Sequence, residues 1–530
     1  MFRRAIFMFC FMMFSLSALI FALYKISTKE KLYEVANNKN FYRLKIANSR
    51  GTIYDCRGIP LLGKRKKLLA AVTPNQENFI KILNLIQEDS REIFIKKFQN
   101  NLPFVIELKE KIECNGIQIF EIPVRYSDST LAQHVIGYLS DEGVGLCGIE
   151  KSFEEHLGNK SDIEVIYQRN AAGKLMTGQN YSFNDKSYLN VSGVKLCIDE
   201  RIQSIVEETA NKHIKKGAII VSEVPNCKIR ASVSFPGYLP ESIELFLNSE
   251  DSNLMNRAIC QYNLGSIFKL VTAAVILENG YNENIFYSCK GVYEFPDRTK
   301  TSCFNKVPHG YINLERAISL SCNTLFANFS KNIDPEFFIK ISKELGFGNS
   351  IKLAPNIVSC KGNLPTIEEL SNEKKMAMFS FGQASLMVTP IQVSGLINTI
   401  ACEGIYTPPS LVEGIINEDG SFDQYPGPLP KRVLKSSTCK KIKNYMFSSI
   451  NHGTSKHGMP ENTTAAAKTS TAQTGIVNDK GRVIQSWFAG FFPFENPKYS
   501  IVILAENLNS GGKVCGPIFK EISEKLNKLL

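Results

Sequence analysis

SWFAGFFPFENPKYSIVILAEN (486–507) holds two apolar runs, SWFAGFF (486–492) and YSIVILAE (499–506), parted by a break containing two prolines. Runs of this length, rich in aromatic and β-branched residues and bounded by turn formers, read as strands. Upstream, TAAAKTSTAQT (464–474) reads as a third strand, with Asn478-Asp479-Lys480-Gly481 in the connection. GAIIVSEV (217–224) and KIRASVS (228–234) read as a hairpin around Pro225-Asn226-Cys227, and GVKLCID (193–199) as one more strand. Asp199 is placed to cap a helix running to His213, with Ile202, Ile205, Val206 and Ala210 on one face. The last helix, Pro517 to Leu530, carries Ile518, Ile522, Leu526 and Leu529 at helical spacing. Strands near both ends of residues 191–530 with a helical middle predict one α/β (α+β) domain, an antiparallel sheet flanked by helices.

The chain has 530 residues, 44% hydrophobic and 21% charged. This composition excludes a mainly disordered chain, a collagen and a polytopic membrane protein. The net charge of +11 is scattered, without the basic blocks of a nucleic-acid-binding arm, so no nucleic acid is expected. A large anionic partner, such as a lipid surface or an acidic wall polymer, fits it equally well. Residues 29–190 form a first region, rich in Lys, Glu and Asn, with amphipathic stretches such as Asn78 to Phe98 and short apolar runs such as LLAAV (68–72). No internal repeat is evident.

After Arg3 and Arg4, Ala5 to Tyr24 carries no charge, a length that suits a ~30 Å hydrocarbon core. A retained single-pass anchor within residues 1–28 is favoured over a cleaved signal peptide, because the run is long and lacks a small-x-small cleavage site. Lys25, Lys29 and Lys31 follow the span while Arg3 and Arg4 precede it, so charge alone does not orient it. Of the 14 cysteines, Cys10 lies in this span. No CxxC exists and the Cys and His positions show no zinc-like pattern, so no metal is expected. Cys289 and Cys303 could pair; the others read as buried thiols in a poorly oxidising setting. His452 and His457 lack an evident third ligand.

Three short motifs carry chemistry. Gly265-Ser266-Ile267-Phe268-Lys269 opens an apolar helical stretch (KLVTAAVIL), and Ser and Lys at i and i+3 share a face, so the amine can reach the hydroxyl. The helix start also favours a developing oxyanion. Ser321-Cys322-Asn323 follows the short amphipathic LERAISL. Lys468-Thr469-Ser470-Thr471 sits in a strand of small residues, where a peptide backbone can lie alongside. The plainer readings are a helix start with a snorkelling lysine, a capping loop and a lysine-protected edge strand; order and spacing weigh against them.

With these motifs in this order, the chain resembles the class B penicillin-binding proteins, monofunctional D,D-transpeptidases whose set is S-x-x-K, S-x-N and K-T-G. NRAICQYNLGSIFKLVTAAVILENG (256–280), HGYINLERAISLSCNTLF (309–326) and FGQASLMVTPIQVSGLINTIACEG (381–404) are similar to the family's segments, as is the quoted 486–507. SRGTIYDCRG (49–58) and GLCGIEKSFEEHLG (145–158) resemble its pedestal. Three departures stand out: Leu264 for the family's Pro, Ala384 for the last Gly of Gly-Gln-Gly, and Ser470 for the Gly of Lys-Thr-Gly. Ser470 is expected to add atoms where substrate would lie.

The resemblance implies an anchor, an elongated pedestal (29–190) and a β-lactamase-like transpeptidase domain (191–530). It implies Ser266 as nucleophile, Lys269 as base, Ser321 as proton relay and Lys468 as the group steering the substrate carboxylate. Asn323, Thr469, Ser470 and Thr471 would line the substrate, and the backbone N–H groups of Ser266 and Thr471 would form the oxyanion hole. Burial and the second cation, Lys468, would lower the pKa of Lys269. No cofactor is implied. Implied partners are peptidoglycan stem peptides, β-lactams as covalent inhibitors and a SEDS-family glycosyltransferase, with the domain outside the cell membrane. The alternatives are a D,D-carboxypeptidase or β-lactamase-like hydrolase, and a weakly active structural partner, the reading that Ser470 favours. Trp487, the only tryptophan, reads as sheet packing rather than a substrate platform.

Overall fold

The computed structural model describes residues 2–27, 41–127, 130–158, 161–170, 174–176, 182–183, 192–282, 285–478, 481–507 and 510–530. The expected boundaries near 28 and 190 lie outside the described residues, as does the Asp479-Lys480 pair of the predicted turn. Helix α1 (Phe2–Ser27) is exposed along its length and is long and apolar enough to cross a membrane.

The chain divides into two units, 1–50 with 65–124 and 159–190, and 51–64 with 125–158 and 191–530. In the first, strands Phe41–Ser49, Ser161–Gln168 and Ser182–Phe183 form one antiparallel sheet. Arg65–Val72, which contains LLAAV, is the centre of another, between Phe104–Leu108 and Ile117–Val124. The amphipathic stretch read from Asn78 to Phe98 is two helices, Gln76–Leu83 and Arg91–Gln99. Asn75 caps the first by accepting from the Asn78 N–H. Phe79, Phe94, Phe98 and Phe104 interlock in tilted and edge-on ring contacts between these helices and the sheet.

The second unit takes up two segments that the sequence reading assigned to the first region. Thr52–Tyr54 pairs in parallel with Gly193–Leu196 at the edge of a four-stranded sheet. Ile53 and Val194 are fully buried there. Asp55 locks the following turn by accepting from the N–H groups of Arg57 and Ile59, each at 2.8 Å. Glu150 is fully buried and forms a forked pair with Arg125 at 2.5 and 2.8 Å. A division at one point, near residue 190, is thus replaced by an interleaved one.

The main sheet is made of β1 (Gly217–Glu223), β2 (Ile229–Phe235), β3 (Ala466–Asn478), β4 (Gly481–Phe492) and β5 (Tyr499–Glu506), in spatial order β2-β1-β5-β4-β3, all neighbours antiparallel. Both faces are covered along β1, β5 and residues 486–492 of β4, which is why these stretches read as continuous apolar runs. On β5, Val502 and Leu504 join one core while Ile501, Ile503 and Ala505 join the other. Trp487 is fully buried, donates from Nε1 to the Asn263 carbonyl at 2.9 Å and meets Tyr262 edge-on, so the sheet-packing reading holds.

The helices follow their sequence signals. α2 (Glu200–His213) begins at Asp199, whose carboxylate accepts from the Arg201 N–H. α3 (Lys269–Glu278) begins at the last residue of the first motif and α4 (Asn323–Ser330) at the last residue of the second. α5 (Pro390–Ala401) is buried on every side and starts with a capping box of Thr389 and Gln392. α6 (Ser436–His452) and α7 (Gly516–Asn527) complete the set. Ile518, Ile522 and Leu526 of α7 share one core with Ile202, Val206 and Ala210 of α2. The result is the α/β (α+β) architecture read from the strand pattern.

Candidate active site

The first motif is not a plain helix start. Gly265–Phe268 is a 3-10 turn, and Lys269 opens α3. Gly265 has φ +67° and donates its N–H to the Gly382 carbonyl at 2.9 Å. A Cβ at Gly265 would stand 2.5 Å from Ser470 Oγ. The turn carrying Ser266 is therefore laid against β3, and only glycine fits at that crossing. Ser266 itself is half-buried. The Lys269 side chain is fully buried because α3 is apolar nearly all round.

The second motif lies between a short helix, Leu314–Ser319, and α4. Ser321 adopts φ +56°, a rare conformation for a residue with a Cβ. This kink brings the motif onto the amine of Lys269. Lys269 Nζ donates to the Ser321 carbonyl at 2.8 Å, to Ser321 Oγ at 3.2 Å and to Asn323 Oδ1 at 2.7 Å. The other end of the Asn323 amide donates to the Ser302 carbonyl at 2.8 Å.

The third motif lies on β3, the edge strand of the sheet. Lys468 is fully buried and donates to the Thr469 carbonyl at 3.0 Å. Thr469 bonds the Thr454 hydroxyl, and exposed Thr471 accepts from the Gly511 N–H. Ser470 corrects an expectation. It is 3% exposed, and its hydroxyl is turned toward Gly265 and has no hydrogen-bond partner. The atoms it adds are taken up inside the domain, because alternation along the strand puts residue 470 on the inner face with Lys468.

Burial governs both amines, and the charge of Lys468, expected to lower Lys269, is not among the causes acting on it. Burial pushes Lys269 down to about 8, opposed by the nearby thiols of Cys322 and Cys303. Lys468 is pushed well below the ordinary lysine range, first by burial and then by the charge of Lys269.

The sequence reading missed two arrangements. Arg257, 2% exposed, pairs with Glu506 at 2.9 Å, and Glu506 also accepts from the Tyr262 hydroxyl at 2.9 Å. This brace ties the chain entering the first motif to the end of β5. The second is a sulfur cluster. Cys289, Cys303, His309 and Cys322 present ligand atoms within 4.8 Å of one another, although no zinc-like pattern was evident in the sequence. The register of a small hairpin, Cys289 opposite Gly310, brings His309 to Cys289, and Cys322 is the middle residue of the second motif. Cys289 and Cys303, read as a possible disulfide, are free thiols with sulfurs 3.8 Å apart. His452 and His457 join no such group among the described residues.

Comparison with known proteins follows the same lines. Residues 217–524 match the family model described as the penicillin binding protein transpeptidase domain. Stage V sporulation protein D of Bacillus subtilis is 26% identical over 533 residues, covering 93% of this chain and 80% of the relative. The peptidoglycan D,D-transpeptidase FtsI of Escherichia coli K12 is 24% identical, covering 89% and 78%. Among solved structures, the complex of PBP2 with MreC from Helicobacter pylori is similar with TM-score 0.67 at 24% identity, covering 92% of this chain and 99% of that one. A D,D-transpeptidase domain from Eggerthella lenta is similar with TM-score 0.66 at 22% identity, covering 91% and 100%. With the matched model extending from β1 into α7, over more than half of its length, this chain belongs to the penicillin-binding protein transpeptidase family.

Proposed function

We propose that this chain is a serine D,D-transpeptidase that cross-links peptidoglycan stem peptides through an acyl-enzyme and is inhibited by β-lactams. The observation that carries the reading is the amine of Lys269, buried and hydrogen-bonded to Ser321 and Asn323 one turn after Ser266. Ser266 Oγ attacks the carbonyl carbon of the penultimate D-Ala. Its proton passes to neutral Lys269 and, through Ser321, to the departing D-Ala nitrogen as the C–N bond breaks. The amine of a second stem peptide then displaces Ser266 and forms the cross-link.

Lys468 couples binding to chemistry in this scheme. A substrate carboxylate beside it favours its protonated form, and that charge in turn favours loss of the proton from Lys269. Asn323, Thr469, Ser470 and Thr471 shape the groove, Ser470 from the face it shares with Lys468, against the turn of Gly265. The backbone N–H groups of Ser266 and Thr471 hold the oxyanion, each donor being worth about 3 kcal/mol. As an edge strand, β3 offers its backbone to an extended peptide.

The apolar α1 supports a single-pass anchor, and a peptidoglycan substrate requires the catalytic domain outside the membrane. Cell-wall synthesis proteins are the proposed partners, among them a SEDS-family glycosyltransferase. The test is labelling of the full chain with a fluorescent penicillin. Wild type becomes labelled and Ser266→Ala does not; equal labelling sinks the mechanism. Paired stem peptides separate transfer from hydrolysis: a cross-linked dimer supports the proposal, and only trimmed monomer supports a carboxypeptidase.

A further inference from the structure

The sulfur cluster has the dimensions of a closed tetrahedral metal site. The Cys289–Cys303, Cys303–Cys322 and Cys289–Cys322 sulfur separations are 3.8, 3.6 and 3.6 Å, a near-equilateral triangle. Tetrahedral Zn–S bonds of about 2.3 Å set sulfurs about 3.8 Å apart. His309 Nδ1 stands 3.3 Å from Cys289 Sγ, which gives the triangle a fourth, nitrogen corner. A disulfide needs about 2.05 Å and joins only two sulfurs, so it does not account for three. All three cysteines are at most 2% exposed, while His309 is half-buried at the rim.

The surroundings suit thiolates. The Leu325 N–H points at Cys322 Sγ at 3.4 Å, at the positive end of α4. The Thr324 hydroxyl lies 3.2 Å from Cys289 Sγ, 3.4 Å from Cys322 Sγ and 3.7 Å from Cys303 Sγ. These are the outer hydrogen bonds that orient metal-bound sulfur.

We propose that Cys289, Cys303, Cys322 and His309 bind one zinc ion as a structural Cys3His site built into the second motif. Binding replaces the three S–H protons and leaves His309 neutral, so three protons are released and the centre carries one negative charge. Four protein ligands leave no open position, so the ion takes no part in chemistry. Its role is positional. Cys322 sits between Ser321 and Asn323, both bonded to Lys269, so the ion fastens the second motif to the hairpin of Cys289 and to the loop carrying Cys303 and His309. The metal assignment does not depend on the acyl-transfer reading.

The test uses the full chain in detergent, produced in zinc-replete medium and kept reduced. Elemental analysis is expected to find about one zinc per chain. The double variant Cys289→Ser/Cys303→Ser should hold none, and His309→Ala should bind zinc at least about tenfold more weakly. Cobalt(II) added to the metal-stripped wild type should give the intense visible bands of a tetrahedral thiolate site. Fully reduced wild type that holds no zinc, or a double variant that holds as much as wild type, overturns the proposal. If the double variant does not fold, the cobalt spectrum decides, and a weak octahedral spectrum overturns it. Penicillin labelling, measured separately, tells a lost metal from a wrong transpeptidase assignment.

Discussion

Lys269 Nζ and Asn323 Oδ1 are 2.7 Å apart, so the amine of the first motif is held by the amide of the second. Burial pushes Lys269 down to about 8 and it must be neutral to accept a proton, so penicillin acylation should rise with pH and level off above that value. Asn323→Asp places an anion beside the amine and favours its charged form, so the midpoint should move to higher pH. Acylation rates measured across pH for both proteins check this; an unmoved midpoint removes Lys269 as the base.

Gly265 and Ser470 should behave as a coupled pair. Ser470→Ala removes a buried hydroxyl without a partner and is expected to stabilise the protein by about 1 kcal/mol, with penicillin labelling kept. Gly265→Ala puts a Cβ 2.5 Å from that hydroxyl at φ +67° and should abolish labelling. Adding Ser470→Gly to Gly265→Ala should restore part of it. Denaturant melts and labelling of all four proteins give the answer.

Glu506→Gln should leave the buried Arg257 charge without its counter-ion. The expected loss is about 3 kcal/mol, visible as a lower melting temperature. Labelling should persist at low temperature, because the brace does not touch the reacting atoms.

His134 predicts an acid-sensitive step. Burial, reinforced by the charge of Arg257 and opposed by a hydrogen bond to the Asn253 carbonyl, lowers its pKa to about 4. The folded state therefore prefers the neutral ring. The stability this contributes is complete above the unfolded pKa of about 6.5 and is lost as pH falls toward 4, by at most about 3 kcal/mol. Melting temperatures of wild type should drop between pH 6.5 and 5 by more than those of His134→Gln.

Strand lengths and caps were legible in the sequence because they are local. The runs at 486–492 and 499–506 have strand length, and Asp199 stands where a cap belongs. The motif residues were legible by type and order, and Lys269, Ser321 and Asn323 do meet. What was not legible depends on pairing across distance. The face taken by Ser470 follows from the position of β3 in the sheet. The thiols meet only through the pairing of Tyr287–Cys289 with Gly310–Ile312 and the kink at Ser321, which no spacing rule encodes. The interleaving of 51–64 rests on a short parallel pairing of Thr52–Tyr54 with Gly193–Leu196, and that of 125–158 on single contacts such as the Ala132 N–H to Glu207 and the Tyr238 hydroxyl to the Gln133 carbonyl.

That interleaving has a practical side. A soluble fragment begun at residue 191 would leave Gly193–Leu196 with a raw edge where Thr52–Tyr54 had been, and would lose the buried Glu150 fork altogether. Anyone trimming this chain for crystals or inhibitor screens should start upstream of Phe41, keeping both units, because no single scissor cut frees the second one whole.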